Sequence, residues 1–206
     1  MIYVKICGIT NVHDARLAAR TGADALGFNF FRGSPRYVKP ERAKAIIAAL
    51  PPFVTTVGVF VDEDPDEITG ICRFCHLDAA QMHGDELPSQ VDRVRGVRRI
   101  KAIRVRDERD VMRCRRYHVE AFLLDAHVPG LAGGTGETLN WELARDAQPY
   151  GPIILAGGLN PDNVEEAIRT AAPYAVDVAS GVESAPGVKD REAMTEFILR
   201  AKAILP

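Results

Sequence analysis

The stretch IILAGGLNPDNV at residues 153–164 shows how the whole chain is organised, because it passes from a strand pattern through a turn into a helix start. It opens on an unbroken apolar run, which favours a short buried strand. Gly157 and Gly158 then mark a turn. Asn160 before Pro161 predicts a helix that Asn160 caps and in which Pro161 takes the first position.

The same succession of apolar run, turn and amphipathic segment occurs eight times along the sequence. Segments 12–20, 41–50 and 190–204 are among the predicted helices. Strict alternation of strand and helix implies parallel strands with right-handed crossovers, in either a doubly wound open sheet or a closed barrel. Eight units favour the barrel, so we expect an α/β fold of the (β/α)8 TIM-barrel type. The predicted strands are 3–7, 25–30, 56–61, 79–82, 100–104, 121–125, 153–156 and 175–179.

Length and composition favour a single barrel domain over residues 1–206. The chain is 47% hydrophobic, which is enough for a sizeable core, and no linker interrupts the pattern. Its net charge of -2 gives no reason to expect binding to nucleic acid or to an anionic membrane. No stretch approaches the ~20 apolar residues of a membrane span, and the start lacks a signal-peptide pattern. We therefore expect a cytoplasmic protein whose four cysteines are thiols.

The strand ends carry the residues that could form a site, because the carboxyl ends of barrel strands share one mouth. Cys7 ends the first predicted strand and Asp125 ends the sixth, so they are expected to face a common ligand. Taken alone, Cys7 would be interpreted as a buried apolar thiol and Asp125 as a cap or turn residue. The other candidates at strand ends are Asn29, Val61, Asp62, His83, Arg104, Gly157, Gly158, Ser180 and Gly181.

Glycines follow three neighbouring strands and favour a phosphate site. Gly157 and Gly158 follow the seventh strand, Ser180 and Gly181 the eighth, and the cluster at 133–136 the sixth. Exposed backbone N–H groups in such loops form phosphate cradles in many barrels. A single glycine pair would indicate only a tight turn. Since neither a Walker motif nor G-x-G-x-x-G after the first strand is present, a phosphosugar fits better than a nucleotide.

Short motifs spread over nearly the whole chain form a combination that is more specific than any one of them. They are KICGIT (5–10), GSPRYV (33–38), QMHG (81–84), LLDA (123–126), GGTG (133–136), AGGL (156–159) and SGVESAPGVKD (180–190). Together, and in this order, they resemble the motifs of the phosphoribosylanthranilate isomerase family. The resemblance implies an isomerase without cofactor or metal that converts N-(5'-phosphoribosyl)anthranilate to 1-(2-carboxyphenylamino)-1-deoxyribulose 5-phosphate. That reaction is an acid/base Amadori rearrangement in tryptophan biosynthesis.

The resemblance places the family's general base on Cys7, its general acid on Asp125 and the arginine that grips the anthranilate carboxylate on Arg36. An acid must protonate the ring oxygen of the ribose, which suits Asp125 only if its pKa lies well above the ~3.9 of a free aspartate. A base then takes the C2 proton from the iminium ion, and a thiol of pKa ~8.5 needs activation for that step. Strand alternation is expected to point Lys5 away from Cys7.

The remaining residues of the expected site bind the substrate. Arg36 is expected to hold the carboxylate through two parallel hydrogen bonds. His83 is expected either to line the pocket or to be a structural, hydrogen-bonded histidine. The residues expected in the phosphate cradle are Gly134, Gly157, Gly158, Ser180 and Gly181. Departures from the family's pattern, which bear on the strand-six loop and on phosphate affinity, stand at Glu137, Leu139, Asn140 and Ala179.

Two other functions stay open on the residues alone. A metal-dependent pentulose-phosphate epimerase would share the phosphate cradle, but only His83 and His127 lie near strand ends. A barrel that binds a phosphorylated metabolite without turnover would have no use for an acid and a base. The C-x-x-C pair Cys72 and Cys75 is predicted to be two thiols inside a helix, and the arginines of 93–116 to lie on solvated outer faces. A monomer is favoured over a homodimer.

Overall fold

The computed structural model of the chain describes residues 2–125 and 141–204. Eight parallel strands pair in chain order and close into a barrel through the last and the first. They are β1 (Tyr3–Ile6), β2 (Ala25–Asn29), β3 (Thr55–Phe60), β4 (Ala79–Met82), β5 (Arg98–Arg104), β6 (Ala121–Asp125), β7 (Ile153–Ala156) and β8 (Ala175–Val178). A short antiparallel pair follows, formed by β9 (Glu183–Ala185) and β10 (Val188–Lys189).

The helices of these two ranges surround the barrel. They are α1 (Val12–Thr21), α2 (Pro40–Ile47), α3 (Pro65–Cys75), α4 (Pro88–Val91), α5 (Glu108–Met112), α6 (Glu142–Asp146), α7 (Val164–Ala171) and α8 (Arg191–Ala203).

Alternation along the strands sorts their side chains into an inner and an outer layer. Small and medium apolar side chains such as Ala79, Ala102 and Leu123 pack together inside the barrel. The outward side chains of the strands pack with the helices in a larger apolar cluster. Among the buried inward positions of the described strands, two hold charged groups, namely Lys5 on β1 and Asp177 on β8.

The predicted (β/α)8 barrel is confirmed by the closed order of the strands. The predicted bounds agree with β4, β6 and β7, and they differ by one or two residues at the other strands. The predicted helix start at Asn160 and Pro161 is wrong, since α7 begins at Val164.

Two asparagines account for the later start of α7. The side-chain oxygen of Asn160 accepts hydrogen bonds from the backbone N–H groups of Asp162 at 2.8 Å and of Asn163 at 3.2 Å. The side-chain oxygen of Asn163 in turn accepts one from the Asn160 N–H at 2.9 Å. These reciprocal bonds close a turn over residues 160–163 that Asn160 caps, as the sequence predicts, and the regular helix begins after that turn.

The cysteine pair and the arginine-rich segment lie where the sequence predicts. Cys72 and Cys75 are buried free thiols within α3. In the segment 93–116, Arg106 is largely exposed and pairs with Asp110 at 3.2 Å. Across residues 2–125 and 141–204, no helix is long and apolar enough to cross a membrane.

Candidate active site

A cavity of about 230 Å³ opens at the carboxyl ends of the strands. It brings together residues that lie far apart in the sequence, as the shared mouth of a barrel predicts. Gly134 lies outside the described residues. The other predicted site residues all line the cavity: Cys7, Arg36, His83, Asp125, Gly157, Gly158, Ser180 and Gly181.

Cys7 stands just after β1, where its backbone N–H donates to the Val178 carbonyl at 2.8 Å and so ties the ends of β1 and β8 together. The thiol fits because Gly27, on the neighbouring strand β2, has no side chain. An ideal Cβ on Gly27 would lie 2.7 Å from Cys7 Sγ. Burial raises the pKa of the Cys7 thiol and outweighs the Lys5 ammonium, which lowers it.

Lys5 points toward Cys7, so the expectation that alternation turns it away is wrong. Residues 5 and 7 are two apart, and a period of two places them on the same face of the strand. Lys5 Nζ lies 2.9 Å from Asp177 Oδ1 inside the barrel, and only 3% of Lys5 is exposed. The ideal Cβ on Gly27 that would touch Cys7 Sγ would also lie 3.1 Å from Lys5 Nζ. The ammonium and the thiol therefore share one space.

The charge of Lys5 is secured by its neighbours. Burial lowers the pKa of the Lys5 ammonium, but Asp177 and Cys7 raise it by more, so its pKa lies above the usual value. Lys5 is therefore an ammonium ion at neutral pH. A positive charge thus lies permanently beside the candidate base.

Arg36 reaches the cavity from the loop after β2 by crossing the backbone of Gly8. An ideal Cβ on Gly8 would lie 2.5 Å from Arg36 Cδ, and the φ of +78° at Gly8 also favours glycine. The Ser34 hydroxyl accepts a hydrogen bond from the Arg36 backbone N–H at 3.1 Å. Asn29 Nδ2 donates to that hydroxyl at 3.1 Å, which anchors the loop to the end of β2.

One edge of the Arg36 guanidinium is already occupied by Glu183. Nε donates to Glu183 Oε1 at 2.9 Å and Nη2 donates to Oε2 at 2.6 Å. Glu183 also accepts from Lys189 Nζ at 2.8 Å. Arg36 Nη1 has no hydrogen-bond partner among residues 2–125 and 141–204. A ligand carboxylate could therefore be held in two parallel hydrogen bonds only by the edge that Nη1 shares with Nη2.

His83 both lines the cavity and makes hydrogen bonds, so the two interpretations of this residue coexist. Its Nε2 lies 3.1 Å from Asp125 Oδ2, and its Nδ1 lies 2.8 Å from Gln81 Nε2. The donor and acceptor roles at both ring nitrogens depend on the tautomer, and the side-chain oxygen of Gln81 has no other partner among the described residues. The contact at Nε2 orients the Asp125 carboxyl group whichever of the two carries the proton.

The two glycine turns form the side of the cavity near β7 and β8. Gly157 has a φ of +85° and Gly158 of +67°, a conformation that favours glycine. Neither donates its backbone N–H to another described residue. An ideal Cβ on Gly181 would overlap the Leu159 carbonyl oxygen, so the turn after β8 can pack against the turn after β7 only with glycine there. Unpaired N–H groups in such a position suit an anion.

Sequence reasoning missed the charged residues that surround Cys7 and Arg36, namely Lys5, Asp177, Glu183 and Lys189. Counting residues in steps of two along β1 would have placed Lys5 beside Cys7. Glu183 and Lys189 stand within the motif SGVESAPGVKD, but no local pattern shows that they pair with Arg36.

In the part of the chain that the structure describes, no three His, Cys, Asp or Glu side chains are grouped so that they could hold a metal ion. His127 lies outside that part.

Comparisons with known proteins agree on one family. The family model described as N-(5'phosphoribosyl)anthranilate (PRA) isomerase matches residues 4–200. An N-(5'-phosphoribosyl)anthranilate isomerase of Geobacter sulfurreducens is 55% identical, over 98% of this chain and 99% of that protein.

Solved structures give the same result. Phosphoribosyl anthranilate isomerase from Thermotoga maritima superposes with a TM-score of 0.92 at 43% identity, covering 99% of this chain and 100% of that one. A phosphoribosyl anthranilate isomerase in complex with reduced 1-(o-carboxyphenylamino)-1-deoxyribulose 5-phosphate has a TM-score of 0.88 at 41% identity, with the same coverage.

Proposed function

Because this chain belongs to the N-(5'-phosphoribosyl)anthranilate isomerase family, we propose that Cys7 is its general base and Asp125 its general acid. The chain is an isomerase that converts N-(5'-phosphoribosyl)anthranilate to 1-(2-carboxyphenylamino)-1-deoxyribulose 5-phosphate in tryptophan biosynthesis. The observation that supports the assignment of roles is that both residues line one cavity together with the glycine turns. Membership of this family argues against the two alternatives, a metal-dependent pentulose-phosphate epimerase and a barrel that binds a metabolite without turnover.

The proposed roles balance the protons of the rearrangement. The carboxylic acid form of Asp125 protonates the ring oxygen, the ribose ring opens, and an iminium ion forms between C1 and the anthranilate nitrogen. The Cys7 thiolate removes the proton from C2, which gives an enolamine that tautomerises to the aminoketose. The cycle leaves an Asp125 carboxylate and a Cys7 thiol, so one proton must return from Cys7 to Asp125 before the next turnover.

His83 takes part in the state of the acid. When Asp125 carries the proton that it donates to the ring oxygen, Nε2 of His83 must accept in the contact with Oδ2. The ring proton then lies on Nδ1, where the side-chain oxygen of Gln81 can accept it once the amide is rotated. We propose that His83 binds at the sugar as well, since it lines the cavity beside Asp125.

The two ends of the substrate are negatively charged, and the cavity offers a group for each. We propose that Arg36 binds the anthranilate carboxylate through the edge that contains Nη1. We propose that the backbone N–H groups around Gly157, Gly158, Ser180 and Gly181 bind the phosphate. Gly134, which lies outside the described residues, stays a predicted member of that cradle.

Turnover of freshly prepared phosphoribosylanthranilate, followed by the loss of anthranilate fluorescence, tests these roles. Cys7→Ser and Asp125→Asn are expected to lower kcat by on the order of 10² to 10⁴, as for the loss of a general base or acid. Arg36→Ala is expected mainly to raise KM. Cys114→Ala serves as the control, because Cys114 is a buried thiol that does not line the cavity, and this variant is expected to keep wild-type kcat/KM. Wild-type kcat in a folded Cys7→Ser or Asp125→Asn variant would refute the assignment.

We also propose that the barrel forms the only domain over residues 1–206, and that it works without a cofactor in the cytoplasm. The match of the family model to residues 4–200 supports a single domain, as does the pairing of β8 with β1.

A monomer is the proposed oligomeric state, and the amino-terminal face of the barrel provides its test. Phe53 is 96% exposed there, beside a cavity of about 390 Å³ whose lining includes Tyr3 and Tyr174. Sedimentation velocity of the wild type and of Phe53→Ser distinguishes the two states. One species of 22.5 kDa in both proteins would support the monomer. A wild-type species of twice that mass that dissociates in Phe53→Ser would replace it with a homodimer formed through this face.

A further inference from the structure

Five ionisable side chains form two linked groups beside Cys7, and four of them, Lys5, Asp177, Lys189 and Arg36, interact with it electrostatically. Lys5 pairs with Asp177 at 2.9 Å, while Glu183 pairs with Lys189 at 2.8 Å and with Arg36 at 2.6 Å. Three of these five groups are cations and two are carboxylates, so the cluster carries one net positive charge. A thiolate on Cys7 would neutralise it.

Lys5 is the cation of this cluster that acts most strongly on the Cys7 thiol. It shares the inward face of β1 with Cys7, and both side chains occupy the space above Gly27. Lys5 Nζ donates a hydrogen bond to Asp177 Oδ1 at 2.9 Å. A side-chain hydrogen bond also links Lys5 and Cys7 and favours the ionised form of both groups.

A second buried lysine shows what a purely structural role looks like in the same protein. Lys101 Nζ donates to Glu86 at 2.8 Å, to the Gly84 carbonyl at 2.8 Å and to the Met82 carbonyl at 3.2 Å. All three donors of Lys101 are thus used to hold the loop after β4 in place. Lys5 has no comparable set of loop contacts, and a buried ion pair is in general no better for stability than a well-packed apolar pair.

We propose that Lys5 is a positioning residue for the base: its ammonium, held in place by Asp177, stabilises the thiolate of Cys7. This inference rests on the proposed role of Cys7. Burial alone makes the thiol a poor source of thiolate at neutral pH, since it raises the pKa of Cys7. The Lys5 ammonium opposes that effect, and the Asp177 carboxylate adds to it.

The Lys5 ammonium lowers the pKa of Cys7, whereas the Asp177 carboxylate raises it. Removing each charge should therefore shift the titration of Cys7 in opposite directions, and this shift can be measured without turnover. The rate of alkylation of Cys7 by iodoacetamide is measured from pH 6 to pH 11 on the Cys7 peptide by mass spectrometry, so that the other thiols do not contribute. Lys5→Met is expected to move the midpoint to higher pH and to lower the rate at pH 7.5 on the order of tenfold, which corresponds to a pKa shift of about one unit. Asp177→Asn is expected to move the midpoint to lower pH.

Two further variants separate the charge from the packing. Lys5→Arg keeps the positive charge and is expected to keep the midpoint much closer to that of the wild type than Lys5→Met does. Lys101→Met/Glu86→Leu removes a lysine that is buried as deeply together with its partner, and neither residue lines the cavity of Cys7, so this variant is expected to leave the midpoint unchanged.

If Lys5→Met does not fold because Asp177 is left unpaired, the double variant Lys5→Met/Asp177→Leu removes both charges and serves in its place. Its midpoint is expected above that of the wild type, because Lys5 acts on Cys7 more strongly than Asp177 does. An unchanged midpoint in a folded Lys5→Met or double variant, or a shift to higher pH in Asp177→Asn, would overturn the proposal. Full activity of Cys7→Ser would instead overturn the proposed base while leaving the alkylation result intact.

Discussion

Gly27→Ala tests whether the space between β1 and β2 is needed for the base. Gly27 does not have a positive φ, so its backbone accepts alanine and only the added methyl group matters. That methyl group would lie 2.7 Å from Cys7 Sγ, whereas unstrained contacts of this kind are about 3.5–4.0 Å long. The sulfur must therefore move by about 1 Å, or the two strands must separate.

Both responses have a predictable magnitude. A displacement of about 1 Å at a reacting group costs on the order of 10² in rate, so kcat/KM is expected to fall by about that factor. Overpacking of this degree costs roughly 1–3 kcal/mol of unfolding free energy. For a chain of this size that corresponds to a Tm lower by roughly 2–12 °C.

The assay compares kcat/KM with the melting curve followed by circular dichroism. Gly70→Ala is the matched control, because Gly70 lies in α3 and an ideal Cβ there would meet no atom within 4 Å. That variant is expected to keep wild-type kcat/KM and to gain about 0.5–1 kcal/mol from its higher helix propensity. Wild-type kcat/KM and Tm in Gly27→Ala would show that the space above Gly27 does not position the thiol.

Two other predictions concern the buried charges. Lys101→Met leaves the buried Glu86 carboxylate without its ion-pair partner and is expected to lose about 3–5 kcal/mol of unfolding free energy in urea titrations. Lys101→Met/Glu86→Leu removes both charges and is expected to recover most of that loss. Equal losses in the two variants would contradict this prediction. Burial raises the pKa of Glu183, but hydrogen bonds from Arg36 and Lys189 lower it by more, so its pKa lies below the usual value. The stability from Glu183 is then full above its unfolded pKa of ~4.3 and is lost as the pH falls through the lower folded value. Unfolding free energies at pH 7, 5 and 3 should therefore decline more steeply for the wild type than for Glu183→Gln, and parallel curves would count against this ion pair.

The sequence predicts the fold well because its signals are local and repeated. Every unit shows its own apolar run and turn, and the number of units selects the closed barrel. The predicted start of α7 is three residues too early for an equally local reason. Asn160 accepts from the N–H groups of Asp162 and Asn163, as a cap does, but residues 161–163 form a turn before the regular helix. A cap pattern therefore identifies the capping residue better than the first regular helical residue.

The pairs that determine the chemistry of the site join distant parts of the chain. Lys5 and Asp177 are 172 residues apart, and Arg36 and Glu183 are 147 apart. They meet only because β8 closes the barrel against β1, so their contact follows from the strand order and register and not from any local pattern. Strand ends therefore identify which residues face the ligand, while barrel closure decides which charges modify them.

The closed strand order gives the acid and the base different kinds of partner. Cys7 on the β1 side is modified by Lys5 of its own strand and by Asp177 of the adjacent strand, whereas Asp125 on β6 meets His83 from beyond β5. On the intervening strand β5, the small inward residue Ala102 lines a cavity together with His83. We expect a large side chain at 102 to crowd the imidazole and to weaken its contact with Asp125. Ala102 thus leaves room for the contact that modifies the acid, as Gly27 on β2 leaves room for the base.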